Sequence, residues 1–218
     1  MSDVYLNAMR YQINGKKIPL SFREKYDLRP LPPNFYSTSA ILVAKELLGK
    51  YFYSQKDYSL GRIVETEAYP GDDPINHGLK GKTEKNSAMF LPPGNCYIYY
   101  VYYKNLCFNI SAEREGTPSV VLIRAIEPLE GIDILSKNRK QKNLKNLTNG
   151  PSKFCQAFGI TILDNGKELT RTFFRIYKGK KDDFEIIRTS RIGVEEVNPK
   201  QYRFYIKDNP FVSSTPTV

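Results

Sequence analysis

The chain has 218 residues and a formal net charge of +10; 40% of its residues are hydrophobic and 13% are aromatic. This length and composition suit one globular domain with its own core and exclude a disordered chain. No apolar run reaches the roughly 20 residues that a membrane helix needs. The charge fits either an anionic partner such as nucleic acid or a solubilising surface, and composition does not decide between them.

The predicted elements begin with a helix that is capped by Ser37 or Thr38 and ends near Leu48, with Gly49 as its stop. Runs rich in β-branched and aromatic residues follow, and such runs are typical of strands. The strands are predicted at residues 51–53, 62–69, 95–102, 106–111, 119–126, 172–177, 184–188 and 202–207.

Two further helices are predicted between the strands. One covers about residues 128–135, because a proline suits the first turn of a helix, and the other covers residues 151–158. Strands in runs, with helices inserted between them, indicate an α+β domain on a curved, mostly antiparallel sheet. We assign residues 34–213 to this single domain, residues 1–33 to an irregular segment packed on it, and residues 214–218 to a tail.

Two glutamates lie two positions apart in the segment 61–69, Gly-Arg-Ile-Val-Glu-Thr-Glu-Ala-Tyr. Alternate residues of an extended strand face the same side. The residues that this rule places on one face are Ile63, Glu65, Glu67 and Tyr69. A carboxylate beside a second carboxylate and an aromatic ring suits a general base that acts on water. A solvent-facing strand with two glutamates of no catalytic role explains the same pattern.

His77 is the only histidine of the chain, and it follows a loop rich in proline, glycine and aspartate. Loops carry functional residues on a rigid scaffold, but a loop histidine can equally be an ordinary surface residue. The cysteines Cys96, Cys107 and Cys155 form no Cys-x-x-Cys pair and are poor material for a zinc site. We therefore predict buried thiols in a reducing compartment and no metal site.

Residues 95–111 predict a protruding β-hairpin, with Tyr103, Lys104 and Asn105 near its turn. Five tyrosines, at positions 97, 99, 100, 102 and 103, give both of its faces aromatic character. Packing at the edge of a core explains some of them but does not easily explain those at the tip. An aromatic tip on a basic protein suits insertion between stacked bases, or stacking of bases upon it.

Arg124 interrupts the apolar segment 120–126. A guanidinium is almost never buried unpaired, so we expect a carboxylate or phosphate partner, with Glu67 the foremost candidate. A purely structural ion pair explains Arg124 equally well. Elsewhere, two clusters of basic residues suit a polyanion. Their members are Lys137, Arg139, Lys140, Lys142 and Lys145, and Arg171, Arg175, Lys178, Lys180 and Lys181.

In combination, these segments resemble the alkyladenine (3-methyladenine or methylpurine) DNA glycosylase family. The segments that carry the resemblance are residues 47–50, 61–69, 77, 89–90, 93–94, 95–111, 122–131, 149–153, 191–194 and 203–205. The resemblance implies a monofunctional enzyme of base excision repair. Such an enzyme flips alkylated or deaminated purines, 3-methyladenine among them, out of double-stranded DNA and hydrolyses the N-glycosidic bond. Strand cleavage is left to another enzyme.

The resemblance also implies the catalytic residues. Glu67 matches the general base that activates the attacking water. Arg124 matches a residue that holds this water, and the backbone carbonyl of Ile192 lies at the position of a further water ligand. No metal or organic cofactor is implied.

The remaining motif positions describe a pocket for the flipped base. Tyr69 matches the residue that stacks on one face of the base, and His77 and Tyr99 match those on the other face. Asn109 matches the position that crowds the exocyclic amine of guanine. Tyr102 matches the wedge that fills the gap in the DNA from its minor groove.

The chain departs from the family pattern at two places. After Tyr102 the family often has a glycine and then an apolar residue, whereas this chain has Tyr103 and Lys104. We expect Lys104, together with Lys153, to contact the DNA backbone. The loop of residues 70–76 is one residue shorter than in other members, which changes how the pocket presents its histidine.

Two other interpretations stay open: a non-catalytic protein that binds damaged DNA, and an RNA-binding or RNA-modifying β domain. Release of bases from alkylated DNA would separate the enzyme from both. The N-terminus lacks a basic region followed by an apolar segment, so we expect no secretory signal. We expect a monomer in the bacterial cytoplasm, or in the nucleus if the source is eukaryotic.

Overall fold

The structure is a computed structural model that describes residues 18–32, 34–195 and 199–213. Within these ranges the α-helices are α1 (Leu20–Lys25), α2 (Ala40–Leu47), α3 (Ile132–Arg139) and α4 (Pro151–Ala157). The strands are β1 (Arg29–Pro30), β2 (Tyr51–Ser54), β3 (Ser59–Tyr69), β4 (Cys96–Val101), β5 (Asn105–Ser111), β6 (Val120–Glu130), β7 (Phe174–Lys178), β8 (Ile186–Thr189) and β9 (Arg203–Ile206). None of the described helices is long and apolar enough to cross a membrane.

The strands form one antiparallel sheet in the order β1-β7-β2-β3-β6-β5-β4, with β9 paired to β3 and β8 paired to β9. Strand β3 pairs with β6 over most of its length. Its first part also pairs with β2, and residues 65–67 pair with β9. The sheet curls into a half-barrel, which confirms the predicted α+β class and the single curved, antiparallel sheet.

The main core lies between the sheet and helices α2 and α4, which pack on β3, β5 and β6. Helix α2 buries four apolar residues, Ala40, Val43, Ala44 and Leu47. Phe52 of β2 lies at the centre of an aromatic cluster, and its ring is within 5.6 Å of four other phenylalanine rings. Burying large aromatic side chains contributes strongly to the stability of such a core.

The predicted strands are all present, with ends shifted by at most four residues, and the helix predicted at 151–158 is α4. The predicted cap of α2 was wrong: Ser39, rather than Ser37 or Thr38, accepts a hydrogen bond from the amide of Leu42 at 3.3 Å. Gly49 follows this helix with φ +76°, a conformation that favours glycine.

The helix predicted at 128–135 was also wrong at its start. Pro128 lies in β6 opposite Gly61, beside a register shift, where a missing amide proton is tolerated. Helix α3 begins four residues later, at Ile132, after Gly131. The N-terminal segment is not wholly irregular either, because α1 and β1 lie within residues 18–32 and β1 pairs with β7. Residues 1–17 and 214–218 lie outside the described part of the chain.

Candidate active site

Two register shifts in the pair of β3 and β6 position the charged residues of the site. One shift leaves Val64 without an opposite residue in β6, and the next leaves Arg124 without one in β3. Such bulges change the direction in which a side chain points, and here Arg124 forms ion pairs with both Glu65 and Glu67. Ile63 belongs to the hydrophobic core instead, so the predicted common face holds for the glutamates but does not extend to Ile63.

Glu67 is fully buried and accepts hydrogen bonds from three groups. The Tyr69 hydroxyl donates to Oε2 at 2.9 Å, and Arg124 Nη1 donates to the same oxygen at 3.1 Å. The backbone amide of Ile192 donates to Oε1 at 2.8 Å. A carboxylate has about four acceptor positions, so three donors leave one position for a further partner.

Glu65 is equally buried but has a different set of partners. Its Oε1 accepts from Arg124 Nε at 3.2 Å, from Arg203 Nε at 2.6 Å and from the Ser213 hydroxyl at 2.8 Å. Its Oε2 accepts from the Ser213 amide at 2.6 Å. Glu65 thus ties β3 to β6, to β9 and to residue 213, which is a structural role.

Arg124 is the cation that the two glutamates share. Its burial opposes the charged form and is the largest single influence on its pKa, but Glu67 and then Glu65 act against it. The net result is a pKa above the usual value of arginine, so Arg124 keeps its charge inside the protein. The expected pairing of Arg124 with Glu67 is therefore present.

A cavity of about 460 Å³ opens in front of this charged group. Its lining includes most of the predicted site residues, namely Tyr69, His77, Tyr99, Tyr102, Asn109, Arg124 and Ile192. Glu67 lies behind the lining, and three of the lining residues (Tyr69, Arg124 and Ile192) donate to it. The volume lies within the range of small-molecule pockets.

One wall of the cavity consists of His77 and two tyrosines. The His77 ring meets the Tyr99 ring edge-on at 5.0 Å, and its Nδ1 lies 3.2 Å from the Tyr97 hydroxyl. Tyr97 stacks on Tyr99 with ring centroids 5.1 Å apart. The partial burial of His77 lowers its pKa, so this imidazole is neutral at pH 7. Burial raises the pKa of Tyr97 to about 12 and raises those of Tyr69 and Tyr99 still further, so these rings are also neutral.

Tyr97 was not among the predicted site residues. It occupies the same side of β4 as Tyr99, two positions away, so the alternation of a strand was a signal for it. Asn109 of β5 lies opposite Tyr97 and donates its side-chain amide to the Tyr97 carbonyl at 3.0 Å. This bond fixes the orientation of a buried amide at the cavity wall.

Two asparagines fix the loop that carries His77. The Asn76 amide donates to the carbonyls of Tyr69, Pro70 and Pro118 at 2.8 to 3.0 Å. Asn86 donates to the carbonyl of His77 at 2.9 Å. Because both asparagines are buried, these bonds hold the loop firmly despite its lack of regular structure.

A buried ion pair joins the same loop to the segment of Ile192. Arg191 Nη1 lies 2.9 Å from Asp73 Oδ2, and both side chains are fully buried. Arg191 also donates to the Ala68 carbonyl at 3.0 Å and lies over the Tyr69 ring at 4.8 Å. The pair therefore links the pocket loop to the amide that binds Glu67. Nothing in the spacing of residues 73 and 191 predicts this contact.

Of the predicted DNA-contacting residues, Tyr102 borders the cavity, and Lys104 and Lys153 are not part of its lining. Tyr102 is 85% exposed at the turn between β4 and β5, and Lys104 belongs to the same turn. Lys153 lies in α4, directly after two residues that line the cavity, and donates to Asn149 Oδ1 at 2.8 Å. One member of the predicted basic clusters is misplaced: Arg175 is buried and donates to backbone carbonyls rather than facing solvent.

The three cysteines are buried and unpaired, as predicted. Cys107 lines the cavity, and burial raises its pKa to about 11, so its thiol is protonated at neutral pH. Among the described residues, no three His, Cys, Asp or Glu side chains are grouped to hold a metal ion.

The cavity thus has aromatic walls and a carboxylate behind them, and an exposed tyrosine of the hairpin tip borders it. The chain belongs to the methylpurine-DNA glycosylase (MPG) family, whose family model matches residues 34–210. Two bacterial relatives share the name "Putative 3-methyladenine DNA glycosylase". The Carboxydothermus hydrogenoformans protein is 41% identical over 84% of this chain and 98% of its own length. The Clostridium acetobutylicum protein is 43% identical over 82% of this chain and 95% of its own length.

Proposed function

We propose that this DNA glycosylase flips alkylated or deaminated purines, 3-methyladenine among them, out of duplex DNA and hydrolyses the N-glycosidic bond with water activated by Glu67. The observation that carries the proposal is the position of Glu67. Three cavity-lining residues donate to it, and they leave about one acceptor position for water. Its negative charge also favours the oxocarbenium-like sugar that forms as the bond breaks.

Water held by Glu67 has to reach the sugar from the cavity side. Arg124 and Ile192 line that side, and both contact Glu67. The contact of Ile192 uses its backbone amide, so the predicted role of its carbonyl as a water ligand stays a prediction. Arg124 fixes the Glu67 carboxylate and, as we propose, helps to hold the water.

The electrostatic character of the pocket suits a damaged purine. N-alkylation can make a purine cationic, and neutral aromatic rings attract a cation through their faces. We propose that Tyr69 stacks on one face of the flipped base and that His77 and Tyr99 contact the other. The lowered pKa of His77 matters here, because a charged imidazole would repel a cationic base. Asn109 stands at the pocket wall, where it would crowd the exocyclic amine of undamaged guanine.

The lining of the cavity supports a monofunctional enzyme. A glycosylase that also cleaves the strand requires an amine nucleophile, and no lysine lines the cavity within the described ranges. The Cys107 thiol, with its raised pKa, is a poor nucleophile at neutral pH. We therefore propose hydrolysis by water alone, which leaves an abasic site.

We further propose that Tyr102 fills the gap left by the flipped nucleotide and that Lys104 and Lys153 contact phosphates of double-stranded DNA. A single chain carries all of these residues, so the proposed active form is a monomer. The buried, reduced cysteines fit a reducing compartment such as the bacterial cytoplasm.

A base-excision panel tests the proposed function. Duplexes that carry 3-methyladenine, 7-methylguanine, hypoxanthine or ethenoadenine are incubated with the protein, and released bases are measured beside an undamaged duplex. We expect release from at least one lesion, with strands that break only after alkali treatment. Tight lesion binding without release would support the non-catalytic binder, and preference for RNA would support the RNA-binding alternative.

A further inference from the structure

The tip of the hairpin has an unusual backbone. Three residues, Tyr102, Tyr103 and Lys104, connect β4 to β5, and the first two have φ values of +49° and +66°. This left-handed region favours glycine, because the Cβ of other residues crowds the backbone there. Two successive tyrosines in this conformation therefore make the turn less stable than glycine would. Strain of this kind is often retained at functional sites.

Tyr103 gains no compensating contact within the protein. It is 98% exposed, the largest exposure of any large hydrophobic residue in the described part of the chain. Its side chain has no hydrogen bond, ring contact or ion pair with the described residues, and it does not line the cavity that Tyr102 borders. Together with Tyr102, which is 85% exposed, Tyr103 forms an exposed aromatic patch at the tip, and such patches mark interaction sites.

We propose that Tyr103 is a second DNA-inserting residue, which stacks on the base opposite the lesion while Tyr102 fills the gap. This inference rests on the proposed function, because it takes the position of Tyr102 as its reference. Tyr103 follows Tyr102 directly at the exposed tip and lies outside the cavity lining, so a duplex whose gap is filled by Tyr102 meets Tyr103 beside that gap.

The chemistry of Tyr103 indicates stacking as the main contact. A tyrosine ring stacks on any base, so the contact would add affinity with little dependence on the opposite base. Lys104 follows directly and offers a cation for a nearby phosphate. The tip would then hold both strands of the duplex while the lesion occupies the cavity.

The test uses the full chain and a duplex that carries a tetrahydrofuran abasic-site analogue opposite 2-aminopurine. Stacking of an aromatic ring lowers 2-aminopurine fluorescence, and this readout needs no excision. We expect the unaltered protein to quench the 2-aminopurine fluorescence and Tyr103→Gly to quench it much less. The variant should also bind this duplex about 5- to 150-fold more weakly. Tyr102→Ala serves as a positive control for the loss of a tip contact.

The matched control is Tyr58→Gly, because Tyr58 is also a tyrosine with φ +49°, in the turn between β2 and β3. Both glycine variants relieve backbone strain, and only Tyr103→Gly should weaken DNA binding. Unchanged quenching and affinity in Tyr103→Gly, or equal losses in both variants, would overturn the inference. A protein that binds and quenches but excises no lesion would contradict the proposed function and leave the tip contact supported.

Discussion

Replacing Arg124 with methionine should destabilise the protein, because two buried carboxylates would lose the cation that they share. Breaking a buried ion pair by removing one partner costs about 3–5 kcal/mol. Glu65 would keep Arg203 and Ser213, and Glu67 would keep two neutral donors. We therefore expect the lower end of this range, about 3 kcal/mol of unfolding free energy. For a chain of this size the melting temperature should fall by about 6–12 °C.

Urea unfolding in the absence of DNA measures this loss directly. Arg29→Met is the matched control, because Arg29 forms an exposed ion pair with Asp27 at 3.1 Å. Exposed pairs contribute little, so the control should change the unfolding free energy by less than about 1 kcal/mol. A loss of stability in Arg124→Met no larger than that in Arg29→Met would show that the two glutamates do not depend on the Arg124 charge. Excision by Arg124→Met should also fall sharply, since Glu67 loses its charged donor.

Three further predictions concern single residues around the cavity. Tyr69→Phe keeps the ring but removes a hydrogen bond to a carboxylate, worth about 1.5–3 kcal/mol, so single-turnover excision should slow about 10- to 150-fold. Lesion binding should stay the same in this variant; weakened binding with normal turnover would contradict the assigned role. Because burial lowers the pKa of His77, the unfolded chain takes up a proton more readily than the folded one. The free energy of unfolding should therefore fall as the pH drops below about 6.5, and it should fall less steeply in His77→Gln. Urea titrations at several pH values measure this, and the same pH dependence in both proteins would argue against it. Lys153→Ala should weaken binding to lesion-containing and undamaged duplexes alike. The slope of log binding constant against log salt concentration should become shallower by about 1, and an unchanged slope would argue against a phosphate contact of Lys153.

Local rules predicted the sheet and the central ion pair well. Strand β3 was visible because β-branched and aromatic residues make up half of the predicted segment 62–69. Arg124 was expected to pair because an isolated guanidinium is too costly to bury. The failures were equally local. A proline suits the first turn of a helix, but it is also tolerated in a strand where the hydrogen-bond ladder is irregular. Pro128 pairs with Gly61 beside such an irregularity and therefore belongs to strand β6.

The support of the site was beyond sequence rules for a different reason. Arg203 and Ser213 reach Glu65 from 138 and 148 residues away, and Arg191 reaches Asp73 from 118 residues away. Such contacts follow from how the sheet curls and from where its bulges fall, and no periodicity encodes either. The family resemblance supplied the residues proposed to contact the base, whereas the groups that hold them in place required the three-dimensional structure.

Replacing Glu67 with glutamine tests whether Glu67 activates the attacking water. Glutamine has nearly the same shape but cannot take a proton, so single-turnover excision should fall by at least about 10²–10⁴-fold. Binding to the lesion that the unaltered enzyme excises fastest should persist, and circular dichroism should confirm the fold. Excision by Glu67→Gln at close to the unaltered rate would contradict the account.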